Sequence, residues 1–312
     1  MPAEPRSGDH GRSVSSRTEE RNSRTVDIDL VSTEEVLRLL NAEEATVAGA
    51  VASVLPALAT VVDHVVERIK AGGRVHYFGA GTSGRMGVLD SAEVIPTFGV
   101  EPGVFVAHQA GGEYALSTAV EGAEDDEALG AKDARAVSAA DVVVGITASG
   151  RTPYVAGALR SARLAGAMTV LVSSNPAAPL AALAQHDVLV DTGPEAIAGS
   201  TRLKAATAQK MVLNALSTAV MVRLGRTYSN LMAGLSGSNA KLRQRQLAIL
   251  RQASGAPDEA CRAQLARCAG DLRLALLCLL SGLDPEDAAA ALAAAGESVR
   301  QALASLGAGD TG

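Results

Sequence analysis

The sequence predicts an α/β protein: an αβα sandwich with a five-stranded parallel sheet, followed by a small C-terminal helical bundle. Three observations carry that expectation. Short apolar runs alternate with helix-like stretches between residues 74 and 224, and strands that alternate with helices pair in parallel through right-handed crossovers. Val142-Val143-Val144 and Val170-Leu171-Val172 are apolar without a break, the pattern of strands covered on both faces. After Asn239 the patterning is helical only, with Gly255-Ala256-Pro257-Asp258 and Gly282-Leu283-Asp284-Pro285 as stop-and-start signals.

Residues 1–25 are rich in Ser, Arg, Glu and Gly and almost lack apolar side chains, so burial cannot offset the entropy of ordering them; a disordered tail is predicted. The acids Glu4, Asp9, Glu19 and Glu20 among its arginines argue against a transit peptide. Ser32-Thr33-Glu34-Glu35 is a capping box that starts a short helix. The apolar stretch from Thr46 to Lys70, with Pro56 inside and Gly72 closing it, predicts one kinked helix or two.

Val75 to Phe78, β-branched or aromatic after Gly72-Gly73, predict the first strand. Four more are predicted over Gly103–Ala107, Asp141–Thr147, Met168–Ser173 and His186–Asp191, with helices over Glu113–Glu121 and Thr152–Ala165. A long helix runs from Ser200 to about Leu224, with Ser200 or Thr201 as its cap, and three or four short helices follow between Pro257 and Leu306. The expected division is a tail over 1–25, an αβα domain over 26–245 and a bundle over 246–312.

At 312 residues and 47% hydrophobic the chain can bury a sizeable core, and with aromatics at 2% that core must be built from Ala, Val and Leu. A net charge of -6 with no basic stripe argues against a nucleic-acid partner. Cys261, Cys268 and Cys278 are odd in number with no histidine nearby, which predicts buried thiols rather than a disulfide framework or a metal site. The apolar run Leu274–Leu280 is far too short for a bilayer and no N-terminal apolar leader exists, so a cytoplasmic protein without membrane contact is expected.

The chemistry concentrates in Arg74–Glu93, which reads strand, glycine loop, helix. Gly79, Gly81 and Gly84 permit positive φ and close backbone approach, and free N–H groups at the following helix suit a phosphate. Gly79-Ala80-Gly81-Thr82-Ser83-Gly84 formally matches the dinucleotide fingerprint. The acid that would hold a ribose is missing, because Val104–Ala107 runs into His108-Gln109-Ala110-Gly111. Thr82 and Ser83 add two hydroxyl donors, which favours a sugar phosphate over a dinucleotide or a plain turn. A second loop, Ala148-Ser149-Gly150-Arg151-Thr152-Pro153, repeats that logic after the third strand. A third, Ser200-Thr201-Arg202-Leu203-Lys204, offers hydroxyls and cations that serve equally as ordinary capping. The candidate substrate-binding residues are Gly81, Thr82, Ser83, Gly84, Ser149, Gly150, Arg151, Thr152, Ser200, Thr201 and Lys204.

The pair G-A-G-T-S-G-R and A-S-G-R-T-P resembles the sugar isomerase phosphosugar-binding domain. More narrowly, Gly79–Glu93, Ala119–Asp126, Ala148–Tyr154 and Gly199–Ala205 resemble the N-acetylmuramic acid 6-phosphate etherase family, in order and from about Ile28 to the bundle. Leu89-Asp90-Ser91-Ala92-Glu93-Val94-Ile95-Pro96 departs from the family's L-D-A-S-E-C-P-P but keeps the glutamate. The resemblance implies cleavage of the D-lactyl ether of N-acetylmuramic acid 6-phosphate during peptidoglycan recycling, giving N-acetylglucosamine 6-phosphate and D-lactate. It implies a homodimer as well. Elimination from the open-chain aldehyde followed by hydration requires a base at C2 and an acid at the C3 oxygen, and no metal or other cofactor.

By the same resemblance Glu93 is the acid and Glu124 the base, with Glu121 as the nearest competitor for the base. On its own, a glutamate on a helix reads as a solvated surface residue. The acid needs a raised pKa, through partial burial. If Ser83–Glu93 is one straight helix, Glu93 lies roughly 15 Å from the loop, beyond the reach of a hexose. Either the chain bends around Gly87, or Glu93 serves a site completed by a second subunit. A phosphosugar isomerase and a non-catalytic phosphosugar sensor are the rival functions.

Overall fold

The computed structural model describes residues 16–307 except 119, 236 and 238. Two antecedent helices, α1 (Thr33–Glu44) and α2 (Val47–Lys70), lead into β1 (Val75–Gly79), α3 (Gly81–Phe98) and β2 (Phe105–Gln109). Short helices α4 (Tyr114–Ser117) and α5 (Glu127–Asp133) precede β3 (Val142–Thr147), α6 (Pro153–Leu164), β4 (Met168–Ser173), β5 (His186–Leu189) and α7 (Lys204–Arg223). The C-terminal helices are α8 (Ala240–Ser254), α9 (Asp258–Arg267), α10 (Leu272–Ser281), α11 (Pro285–Ala294) and α12 (Val299–Ser305).

All five strands pair in parallel in the order β2-β1-β3-β4-β5. Alternation along each strand sorts the side chains into two layers. Val142, Val144 and Ile146 pack with α2, α3 and α7, where Val61, Val65, Leu213 and Leu216 are all but fully buried. Val143, Phe78 and Leu171 face the other way, onto Tyr154, Val155 and Leu159 of α6. The third core, within the C-terminal helices, takes in Leu235, Ile249, Leu250 and Leu276.

Several elements run as the patterning predicts: Ser32 caps α1 through the Glu35 N–H at 3.3 Å and β4 has the predicted bounds; of one helix or two over Thr46–Lys70, α2 is one, with Pro56 inside it. Helix α2 is long and apolar enough to span a bilayer by length and composition, yet its Val47–Val66 face belongs to the sandwich core.

Three expectations need correction. Residues 16–25 are ordered, not a disordered tail. Thr18, Asn22 and Thr25 are buried, with Thr25 Oγ1 donating to the Ala196 carbonyl at 2.7 Å and Arg17 paired with Asp191. Polar side chains order this segment by bonding to a neighbouring loop, a signal that hydropathy does not carry; residues 1–15 lie outside the described residues. The helix expected over Glu113–Glu121 shrinks to α4, because Gly111 and Gly112 at φ 83° and 69° and Gly122 at 76° turn the chain on either side of it. Neither Ser200 nor Thr201 caps α7. The carboxylate of Glu195 does so, accepting from the N–H groups of Lys204 and Ala205 at 2.9 Å each.

Candidate active site

In the order β2-β1-β3 the chain departs from the sheet in opposite directions after β1 and β3, and the crevice between them lies beyond their carboxyl ends. A cleft of about 480 Å³ opens there. Gly81, Thr82 and Ser83 line it from the start of α3, Ser149 and Thr152 from the loop after β3, and Gly199 and Thr201 from the loop ahead of α7. Glu121 and Glu124 stand on a further wall.

The glycine loop is tighter than its pattern suggests. Helix α3 begins at Gly81, so Gly81-Thr82-Ser83 form its first turn, with Ala80 as an N-cap lacking a side-chain bond. The first amides of a helix have no partner within it and carry the positive end of its dipole, which suits an anion. Only Gly81 of the three glycines uses positive φ, at 53°. Gly79 and Gly84 are required for close approach: a Cβ on Gly84 would lie 2.5 Å from the Gly79 carbonyl oxygen and 2.1 Å from Gln109 Oε1. Gly84 thus sits behind the loop instead of lining the cleft.

After β3 the Thr147 hydroxyl organises the second loop, lying 2.8 Å from Thr152 Oγ1 and accepting from the Gly150 N–H at 3.2 Å. Asn175 Nδ2 donates to the Ser149 carbonyl at 2.8 Å. Gly150, at φ 72°, is pressed against Ala178 and is buried, and Arg151 is exposed; neither lines the cleft. Ser200 is half-buried and also lies off the lining.

Lys204 was expected to bind substrate and does not reach it. Its ammonium is 1% exposed and donates to Glu43 Oε2 at 2.8 Å. Arg24 grips the same carboxylate, and with Lys204 it holds Glu43 down at about 2 against the opposing effect of burial. A buried cation must be paired, so this lysine is committed to the fold.

The acidic wall is held from both ends. Arg85 of α3 donates to the carbonyls of Leu116 and Ala115 at 3.0 and 2.9 Å. Downstream, the Tyr154 N–H at the head of α6 donates to the Glu124 carbonyl at 3.0 Å. Asp126 caps α5 through the Leu129 N–H at 2.8 Å. Gly130 and Gly157 let α5 and α6 touch backbone to backbone, since a Cβ on either would lie within 2.0 Å of the other helix's carbonyl. Glu124 reaches the cleft from this scaffold as an exposed side chain.

Glu93 does not reach it. Helix α3 runs without a break through Gly87, whose missing side chain admits Tyr77 and Ile146, at 3.0 and 3.2 Å from where a Cβ would stand. The helix is not interrupted at Gly87, and Glu93 is exposed on the far part of it. One turn earlier, Asp90 is 2% exposed and accepts from Tyr77 Oη at 2.9 Å, Asn214 Nδ2 at 2.6 Å and Ser217 Oγ at 3.0 Å. Burial raises the Asp90 carboxyl and those three donors act against the rise. Thr147, Gln109 and Glu19 also line the cleft, and no local sequence pattern points to any of them.

Models of the glucokinase regulatory protein N-terminal SIS domain and of the SIS domain match residues 57–163 and 116–219. A curated N-acetylmuramic acid 6-phosphate etherase of Thermobifida fusca is 58% identical over 268 residues, 86% of this chain and 88% of that protein. The chain belongs to the N-acetylmuramic acid 6-phosphate etherase family. An etherase of Rubrobacter xylanophilus is 50% identical over 92% of this chain and 95% of its own length. Among solved structures, a phosphoheptose isomerase from Francisella tularensis is 18% identical with a TM-score of 0.46, covering 60% of this chain and 98% of that one. For this etherase family member, then, the cleft carries one of the two expected acids within a single chain.

Proposed function

We propose that this chain removes the D-lactyl ether of N-acetylmuramic acid 6-phosphate, releasing N-acetylglucosamine 6-phosphate and D-lactate. The observation that carries the reading is the convergence on one cleft of hydroxyl-bearing loops at a helix N-terminus and the carboxylate of Glu124. Identity of 58% to an etherase across most of both chains supports the same substrate.

The phosphate sits against the first turn of α3 and the hydroxyls of Thr82, Ser83, Ser149 and Thr152. Such anchoring leaves the open-chain aldehyde facing the acidic wall. There the carbonyl acidifies the C2 proton, which Glu124 removes, and the C2=C3 double bond forms as the C3–oxygen bond breaks. The departing lactate takes a proton from Glu93, and water then adds oxygen to C3 and hydrogen to C2. Glu93 reaches the cleft from a second subunit of a homodimer, because α3 continues unbroken from the loop and ten residues of helix span roughly 15 Å. Contact with the partner would also bury this exposed carboxyl. The reaction belongs in the cytoplasm; the buried free thiols of Cys261, Cys268 and Cys278 fit a reducing compartment.

Incubating the protein with N-acetylmuramic acid 6-phosphate and measuring free D-lactate tests the reading. Lactate is expected with the wild type and is reduced by at least about a hundredfold with Glu124→Ala, the scale of a lost general base. Wild-type protein that binds the sugar phosphate without releasing lactate would overturn it in favour of a sensor.

A further inference from the structure

The ordered N-terminal strap brings a carboxylate of its own to the cleft. Residues 16–25 lie along the loop that leads to α7. The Gly199 N–H donates to the Thr18 carbonyl at 2.9 Å, Asn22 Nδ2 to the Pro194 carbonyl at 3.3 Å and Thr25 Oγ1 to the Ala196 carbonyl at 2.7 Å. Arg17 and Arg24 clamp the strap at either end, on Asp191 and Glu43. Between those anchors Thr18 is wholly buried, whereas its neighbour Glu19 is exposed and lines the cleft with Thr82, Ser149, Thr201 and Glu124. Its Oε2 rests where Gly199 lacks a side chain, 2.8 Å from the position a Cβ would take. Among the described residues no hydrogen bond or ion pair engages the Glu19 carboxylate.

An ionised carboxylate only accepts hydrogen bonds, and it repels a phosphate. Glu19 therefore cannot help to hold the phosphate. It faces the one part of an amino-sugar phosphate that offers donors, the ring or chain hydroxyls and the acetamido N–H. We propose that Glu19 recognises the amino sugar by accepting a hydrogen bond from one of these donors, which makes the N-terminal strap a specificity-determining part of the site. The inference rests on the phosphosugar reading of the cleft.

Two probes separate sugar recognition from phosphate anchoring: N-acetylglucosamine 6-phosphate and inorganic phosphate, each titrated by calorimetry against wild type, Glu19→Gln and Glu19→Ala. Loss of a charge-assisted hydrogen bond weakens the sugar phosphate by about tenfold to a hundredfold in Glu19→Ala. Glu19→Gln, which keeps an acceptor, falls between. Inorganic phosphate binds both variants no more weakly than the wild type, because removing a negative charge from the cleft cannot weaken an anion. An equal loss for both probes would assign Glu19 a structural role and overturn the inference, as would unchanged affinity for the sugar phosphate. A wild-type protein that binds neither probe would overturn the phosphosugar reading itself, and this inference with it.

Discussion

Glu43 joins three parts of the molecule, accepting from Arg24 of the strap and Lys204 of α7 while belonging to α1. Its folded pKa of about 2 lies below the ordinary value of 4.5, so its contribution to stability is full above 4.5 and is lost as pH falls from there toward 2. His108, stacked on Phe78 at 4.2 Å, is pushed by burial from 6.5 to about 4. The unfolded chain takes up that proton first, so the stability owed to neutral His108 is lost as pH falls from about 6.5 toward 4. Urea midpoints measured against pH are expected to fall in two stages. Glu43→Gln lowers stability at neutral pH by about 3 kcal/mol or more, the cost of stranding a buried charge, and flattens only the stage below 4.5. A variant curve parallel to that of the wild type below 4.5 would contradict the assignment.

At the scale of the element, α3 and α7 show what patterning can and cannot convey. Both helices were legible from their apolar content, and β3 and β4 from unbroken apolar runs, because parallel strands covered on both faces are apolar throughout. The tight turn from β1 into α3 was legible from its glycines. The capping of α7 was not, because Glu195 stands nine residues ahead of Lys204 and reaches it only through the fold. Glu195→Ala is expected to cost about 1–2 kcal/mol in thermal unfolding, whereas Ser200→Ala stays within about 0.5 kcal/mol, reversing the order a sequence-based cap assignment gives. Gly87 offers a second test. It reads as a point of flexibility and serves as a point of contact, so Gly87→Ala should overpack α3 against Tyr77 and cost about 1–3 kcal/mol. A stabilised Gly87→Ala protein would restore the hinge reading.

For the whole molecule, the two acids pose the remaining question of assembly. One chain brings Glu124 to the cleft and carries Glu93 away from it. Motif resemblance names Glu93 and Glu124 together, but no pattern in one chain specifies which copy each acid serves. If the site is shared across a two-fold axis, mixing inactive Glu93→Ala and Ser83→Ala subunits should regenerate one intact site per mixed dimer, or roughly a quarter of wild-type activity after random exchange. No recovery after proven exchange would place Glu93 outside the reaction or require α3 to rearrange in its own subunit.

The central claim is that this cleft cleaves the ether at the sugar carbon by elimination and rehydration. Running the reaction in deuterated, oxygen-18-enriched water and analysing both products by mass spectrometry tests it most directly. Deuterium is expected at C2 and the heavy oxygen at C3 of N-acetylglucosamine 6-phosphate, with D-lactate unlabelled at its hydroxyl. Heavy oxygen in the lactate hydroxyl, or a sugar without deuterium at C2, would contradict it.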